Sequence, residues 1–237
     1  PRGLTARHPV RCRGTRGASH GRRSGEDTVE QFGFYFNAKR CTGCKTCMLA
    51  CKDYRNLDAS VSFRQVYEFV GGSWSKDERG CWAQDSSRRV RVSACNHCAS
   101  PACMEVCPTG AMGKNELDSV ALDEHRCIGC GYCALSCPYH APKVDRTVGH
   151  SVKCDGCSQR AREGSAPVCV EACPLRALEF GPISDLRARH GRVADMPPLP
   201  DSSKTAPNLV LSLPVRLEED ESRVLAEGAV CNIRELV

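Results

Sequence analysis

Bulky apolar residues recur at every second position at Phe32, Phe34 and Phe36, a period of two that predicts a short strand. Shorter apolar stretches at Val90–Val92 and Val120–Leu122 predict two more strands. The segment Phe34–Cys44 echoes Val120–Cys130: in each an apolar run leads to Arg before the first Cys, and Gly precedes the second. Gly43, Gly129 and Gly131 suit loops that bend tightly around a bulky core. Residues 52–94 carry both tryptophans, Trp74 and Trp82, and read as an insertion with some strand content. After about residue 181 the apolar pattern thins, and Pro197–Pro200 opens what reads as an extended tail. No apolar run approaches the roughly 20 residues needed to cross a bilayer. The longest, Asn208–Val215, is short and interrupted, so membrane association has to run through a partner.

Composition changes this picture in one respect. Of 237 residues only 5% are aromatic but 19 are cysteine, so thiol chemistry has to supply part of the stability that a large apolar core would otherwise give. The formal charge of +5 is a local feature. Residues 1–25 hold seven arginines and no acid, and the remainder has 26 Lys and Arg against 28 Asp and Glu. That removes the case for a basic nucleic-acid face. Arg22-Arg23 invites an export-signal reading, but Ser24-Gly25-Glu26-Asp27 follows in place of an apolar stretch. Residues 1–30 are therefore expected to be a basic, disordered extension, and a start at Pro1 is compatible with a piece of a longer protein.

The cysteines fall into four groups. The first and third, Cys41-x2-Cys44-x2-Cys47-x3-Cys51 and Cys127-x2-Cys130-x2-Cys133-x3-Cys137, share one spacing. The second is Cys95-x2-Cys98-x4-Cys103-x3-Cys107, and the fourth is Cys154-x2-Cys157-x11-Cys169-x3-Cys173. Three of the four end in Cys-Pro (Pro108, Pro138, Pro174), and the first ends in Cys51-Lys52. Thiols so close on one loop are poorly placed for disulfide geometry, but they can point together at one face of an iron–sulfur cubane. Cys95/Cys98 and Cys154/Cys157 taken alone would pass as zinc half-sites. The two complete motifs beside them favour iron–sulfur clusters over a zinc-stabilised binding module.

In two-cluster ferredoxins the Cys of the x3-Cys-Pro element serves the other cluster. Groups two and three are separated by 19 residues and form one such unit, inserted between groups one and four, which form the other. The borrowed-ligand rule then gives four [4Fe–4S] sites. Cluster one takes Cys41, Cys44, Cys47 and Cys173, and cluster two takes Cys51, Cys154, Cys157 and Cys169. Cluster three takes Cys95, Cys98, Cys103 and Cys137, and cluster four takes Cys107, Cys127, Cys130 and Cys133. Each oxidised cubane with its thiolates carries about −2, so cations near the ligands bear on reduction potential. Arg40, Lys45, Arg126, Lys143 and Lys153 are near in sequence, and His97 is expected in a supporting role. Cys12, Cys81 and Cys231 are left over as free thiols.

The non-ligand residues resemble a known family, the iron–sulfur electron-transfer subunit of dimethyl sulfoxide reductase among the molybdopterin oxidoreductases. The likeness is carried by Arg40–Cys47, Ala50–Tyr54, Ser93–Cys98, Lys153–Cys157, Cys173–Leu178, Gly181-Pro182-Ile183 and Thr205–Val210, and covers roughly residues 31–215. It implies a non-catalytic subunit of anaerobic respiration, placed between a molybdopterin catalytic subunit and an integral-membrane, quinol-oxidising anchor. The chain itself holds no evident nucleophile, general base or nucleotide loop. In such relatives cluster one lies nearest the catalytic subunit and cluster four nearest the membrane. Nitrate reductase-type relatives have Trp at the position of Cys130 and a three-iron cluster; Cys130 implies a complete fourth cubane here. Formate dehydrogenase and polysulfide or thiosulfate reductase subunits share the cysteine motifs and remain rival readings. The side of the membrane stays open: periplasmic by export together with the catalytic subunit, or cytoplasmic.

The expected architecture is α+β, with two nested ferredoxin-like units. Residues 31–57 plus 140–185 form the first unit, 58–90 an insertion, 91–139 the second unit, and 186–237 an extended tail that contacts partner subunits. Removing residues 1–25 is expected to leave the iron content of the purified protein unchanged, and a loss of iron on truncation would contradict the disordered-extension reading.

Overall fold

The computed structural model describes residues 30–84, 87–196, 199–213 and 228–232. The basic extension, Cys12, Pro197 and Pro198 lie outside them.

The chain opens with β1 (Phe32–Asn37) and α1 (Thr46–Tyr54). Four strands follow: β2 (Gln65–Gly71), β3 (Trp74–Lys76), β4 (Trp82–Gln84) and β5 (Ser87–Ser93). Next come α2 (Ala102–Glu105), β6 (Met112–Lys114), β7 (Val120–Leu122) and α3 (Tyr132–Ser136). A second short hairpin, β8 (Lys143–Asp145) and β9 (His150–Val152), leads to α4 (Ser158–Arg162) and α5 (Val168–Glu171). The described chain ends with β10 (Leu178–Pro182), α6 (Ile183–His190), β11 (Leu209–Ser212) and β12 (Gly228–Val230). No helix among the described residues is long and apolar enough to cross a membrane.

All three strand expectations are met, at β1, within β5 and at β7. The alternation in β1 has a different consequence from a half-buried strand, however. Phe34, Tyr35 and Phe36 are all buried, because β1 is the centre of a three-stranded sheet in the order β10-β1-β11. Its Phe34 and Phe36 face packs on Val66, Val92 and Leu178. Its Tyr35 face packs on Ile183 and Leu186 of α6 and on Val210 of β11. Both faces being covered, even the small residue between the aromatics has a role. A Cβ on Gly33 would sit 2.5 Å from the Asn208 carbonyl oxygen, so the close approach of β11 needs glycine there.

The stretch read as an extended tail is therefore more integrated at 199–213 than its composition suggests. β11 pairs parallel to β1, with Phe34 opposite Leu209 and Phe36 opposite Leu211. The residues just before it clamp the loop around the second cysteine group. Ala99 N–H donates to the Ala206 carbonyl (2.8 Å), Asn208 N–H to Asn96 (3.0 Å), and the Asn208 amide to His97 (2.6 Å). The stretch read as an insertion also reaches the core: β2 pairs along its length with β5 and buries Val66, and β12 closes its other edge. What does project is the β3–β4 hairpin, whose Trp74 and Trp82 are 64% and 65% exposed.

Two helix pairs matter for the site. α1 packs against α5, and α2 packs against α3. The core is accordingly lined with thiols: buried cysteines sit among the apolar residues of three of its clusters.

Truncating Leu211 to Ala is expected to cost about 2–5 kcal/mol, the usual range for a buried Leu. Chemical denaturation checks this; a variant with the native midpoint would mean that β11 is not a core strand.

Candidate functional site

The cysteines gather in sets that mix distant segments. A hollow of about 340 Å³ is lined by Cys41, Cys44 and Cys47 together with Cys173, and closed by Phe36, Val66, Val92 and Leu178. A second, of about 300 Å³, is lined by Cys51, Cys154, Cys157 and Cys169. A third, of about 330 Å³, is lined by Cys95, Cys98, Cys103 and Cys137. The helix pairs explain the mixing. α1 carries Cys47 towards the first hollow and Cys51 towards the second, and α5 brings Cys169 alongside. Cys173, one turn beyond α5, is left to close the first hollow.

The remaining four thiols are gathered less completely. Cys107 packs beside buried Cys133. Ser151 of β9 ties two of the loop's thiols together: its N–H donates to Cys127 Sγ (3.4 Å), and its hydroxyl lies 3.2 Å from Cys133 Sγ. Cys130 is exposed, among exposed Ile128, Tyr132 and Leu135. Ser151 was not singled out by sequence reasoning, since a serine in a short polar strand carries no signal.

Backbone conformation shapes these loops as expected. Gly43, Gly129 and Gly131 have φ of 75°, 69° and 79°. Gly129 is the most constrained, because a Cβ there would sit 2.4 Å from the Gly149 carbonyl oxygen. The repeat seen in sequence also holds at the helix starts. Lys45 before α1 and Gly131 before α3 both take left-handed backbone, turning the chain from cysteine loop into helix.

Burial governs the thiols. It pushes Cys47 and Cys98 up to about 11, and Cys51 and Cys103 up to about 12. Such thiols stay protonated at neutral pH until something stabilises the thiolate, and metal ligation does so by displacing the proton. Among the described residues no three such side chains converge on one point, so the thiols surround spaces and do not meet at a single-ion position. The donor set fits iron–sulfur chemistry in a further way. Arg64 Nε, on a side chain lining the second hollow, and Asn96 Nδ2, on one lining the third, are buried donors with no acceptor among the described residues. Sulfur acceptors within the hollows would satisfy both.

The cations sort by burial. Arg40 is exposed, Arg126 donates to the Thr109 carbonyl (2.7 Å), and Lys45 pairs with Glu68 (3.4 Å). Lys143 is half-buried in β8. Lys153 is buried and donates to the carbonyls of Val120 and of Cys154 (2.6 Å). Two further arginines are structural finds. Arg55 pairs with Asp155, whose carboxylate accepts from Cys157 N–H (3.0 Å) and so fixes the Cys154–Cys157 turn. Arg64, 3% exposed, donates to Cys169 Sγ at 3.2 Å. An arginine inside the apolar run Val61–Val66 was the available signal, and a strand reading passes over it. His97 is fully buried, with Nε2 3.9 Å from Cys154 Sγ and its ring beside Phe34, in keeping with a supporting role. Cys81 and Cys231 are both exposed and outside all four sets.

Comparison with known proteins agrees with this chemistry. Residues 89–183 match a 4Fe-4S dicluster domain. The chain is 54% identical over 183 residues to the iron–sulfur subunit of anaerobic dimethyl sulfoxide reductase from Haemophilus influenzae, covering 77% of this chain and 89% of that one. It is equally identical over 181 residues to the subunit of the same name in Escherichia coli, covering 76% and 88%. The thiosulfate reductase electron transfer subunit PhsB of Salmonella typhi is more distant, 36% identical over 158 residues, covering 66% and 79%. With identity this high over nearly the whole of those relatives, the chain belongs to the family of anaerobic dimethyl sulfoxide reductase iron–sulfur subunits.

Proposed function

We propose that this chain is a non-catalytic electron-transfer subunit that relays electrons through four [4Fe–4S] clusters. The relay runs between a quinol-oxidising membrane anchor and a molybdopterin catalytic subunit, and the catalytic subunit is a dimethyl sulfoxide reductase. One observation carries the reading: each of three hollows is lined by the four cysteines that the borrowed-ligand rule groups together, drawn in every case from two separate motifs. Cluster one would be held by Cys41, Cys44, Cys47 and Cys173, and cluster two by Cys51, Cys154, Cys157 and Cys169. Cluster three would be held by Cys95, Cys98, Cys103 and Cys137, and cluster four by Cys107, Cys127, Cys130 and Cys133. The α1–α5 and α2–α3 pairs support two nested ferredoxin-like units, 31–57 with 140–185 and 91–139.

When bound, each cluster supplies a site that takes up and gives back one electron. The chain's own residues set the conditions for that. Phe36, Val66, Val92 and Leu178 keep water from the first hollow, and Val120, Ala141 and Tyr139 do so at the third. Low solvent access and donated hydrogen bonds to sulfur are the protein's means of adjusting potential. At cluster four, exposed Cys130 beside Ile128, Tyr132 and Leu135 suits an end of the relay where another subunit docks. The higher identity to the dimethyl sulfoxide reductase subunits than to the thiosulfate reductase subunit favours a dimethyl sulfoxide reductase as catalytic partner.

The reading is tested on protein purified without oxygen. It should be brown, absorb broadly near about 400 nm, and hold about sixteen irons with as many sulfides. A colourless protein with about four zinc ions and no sulfide would mean a zinc-stabilised module. Cys130→Ser is expected to convert cluster four alone into a three-iron cluster with its own EPR signal and to stop quinol-driven turnover. The same cluster being disturbed by Cys41→Ser would contradict the pairing. Gly129→Ala, which forces a Cβ against the Gly149 carbonyl, should lower iron by about four per chain while leaving the other clusters' EPR signals in place.

A further inference from the structure

Arg64 lies just ahead of β2, in a stretch that cysteine spacing gives no reason to connect with any cluster. Its side chain is almost wholly buried, and a guanidinium in such a place is costly unless an anion stands beside it. Its close partners are sulfurs and a ring. Nη2 donates to Cys169 Sγ at 3.2 Å, and the guanidinium carbon sits 4.6 Å from the Phe34 ring centroid. Nε has no acceptor among the described residues. The charges that hold the guanidinium protonated against its burial are those of Cys169, Cys47 and Cys154. Cys47 belongs to the first set, and Cys169 and Cys154 to the second. In the other direction, Arg64 opposes the burial-driven rise of both Cys47 and Cys51.

Neutral thiols cannot balance this cation, whereas ligated thiolates can. We propose that Arg64 is the shared counter-charge of the first two sites, a residue that raises the reduction potentials of clusters one and two together while leaving clusters three and four unaffected. The inference rests on the ligand reading given above. Its physics is simple. An electron added to either cluster increases negative charge next to a fixed, desolvated cation, so the reduced form is favoured. The N–H···S bond to Cys169 is charge-assisted and strengthens in the same direction. Lys153, the other buried cation near the ligands, gives its hydrogen bonds to backbone carbonyls, so the direct contact with sulfur is particular to Arg64 among these two.

The test is an EPR-monitored redox titration of the full-length holo-protein, wild type against Arg64→Met, Arg64→Gln and Arg64→Lys, with iron and sulfide measured in each. In the Met and Gln variants two of the four transitions should move to lower potential. At a fixed potential the reduced-to-oxidised ratio of those two clusters should fall about tenfold, which is about 59 mV for one electron. The other two transitions should stay in place, and Arg64→Lys should keep all four near their native values. If Arg64→Met fails to load iron, Arg64→Gln, which keeps a donor in the space, decides. Four unmoved transitions, or four displaced together, would overturn the proposal. So would a Lys variant shifted as far as Met, or loss of iron from all three variants, which would mark Arg64 as purely structural. Wild-type protein without iron and sulfide would instead overturn the ligand reading itself, and the proposal with it.

Discussion

The thiols that line each hollow come from two motifs far apart in the chain, and bringing those motifs together is the constraint that the rest of the fold answers to. Cys173 has to return to the loop of Cys41–Cys47, and Cys137 to the loop of Cys95–Cys98. The α1–α5 and α2–α3 contacts meet that demand directly. The central sheet meets it at a distance, because β10 leaves the fourth motif and pairs antiparallel to β1, which leads into the first. The strand that precedes the first cysteine and the strand that follows the last are therefore neighbours, and the ends of the cluster-binding region are locked by one sheet.

A core built this way has little apolar material of its own. Phe34, Phe36, Val66 and Leu178 form a wall with Cys47 and Cys169 set into it, and Val61, Phe63 and Tyr139 do the same around Cys51, Cys98 and Cys154. Desolvated thiols raised to about 11 or 12 are stable there as neutral groups, but they contribute little beyond small apolar side chains. Iron–sulfur ligation converts these same positions into strong cross-links between distant segments, so folding and cofactor loading are coupled. Buried Arg64 belongs to the same logic, as a cation that makes physical sense only beside anionic sulfur.

Much of the site was legible in the sequence because ligand spacing is a local property. The x2-x2-x3 runs, the Cys-Pro endings and the glycines of the loops are read without knowing the fold, and the sets they imply are those that line three hollows. The three strands at Phe32–Asn37, Val90–Val92 and Val120–Leu122 were legible for the same reason. What could not be read was non-local. Leu209–Ser212 is a core strand only because β1 lies beside it, and nothing in its own composition distinguishes it from a loose tail. Ser151 reaches Cys127 and Cys133 through the β8–β9 hairpin, and Arg64 reaches Cys169 across the fold. In each case the residue type is ordinary and only the partner makes it functional. The resemblance to dimethyl sulfoxide reductase subunits rested on residues between the cysteines, and the high identity over most of the chain shows why those residues were the informative ones.

The cross-motif sharing of ligands is the centre of this account, and iron-edge anomalous diffraction from crystals of the oxygen-free protein tests it most directly. Four separate iron–sulfur peaks are expected, with the Cys173 sulfur bound to the same peak as Cys41, Cys44 and Cys47. Finding Cys173 on one peak with Cys154, Cys157 and Cys169, each motif serving its own cluster, would contradict it.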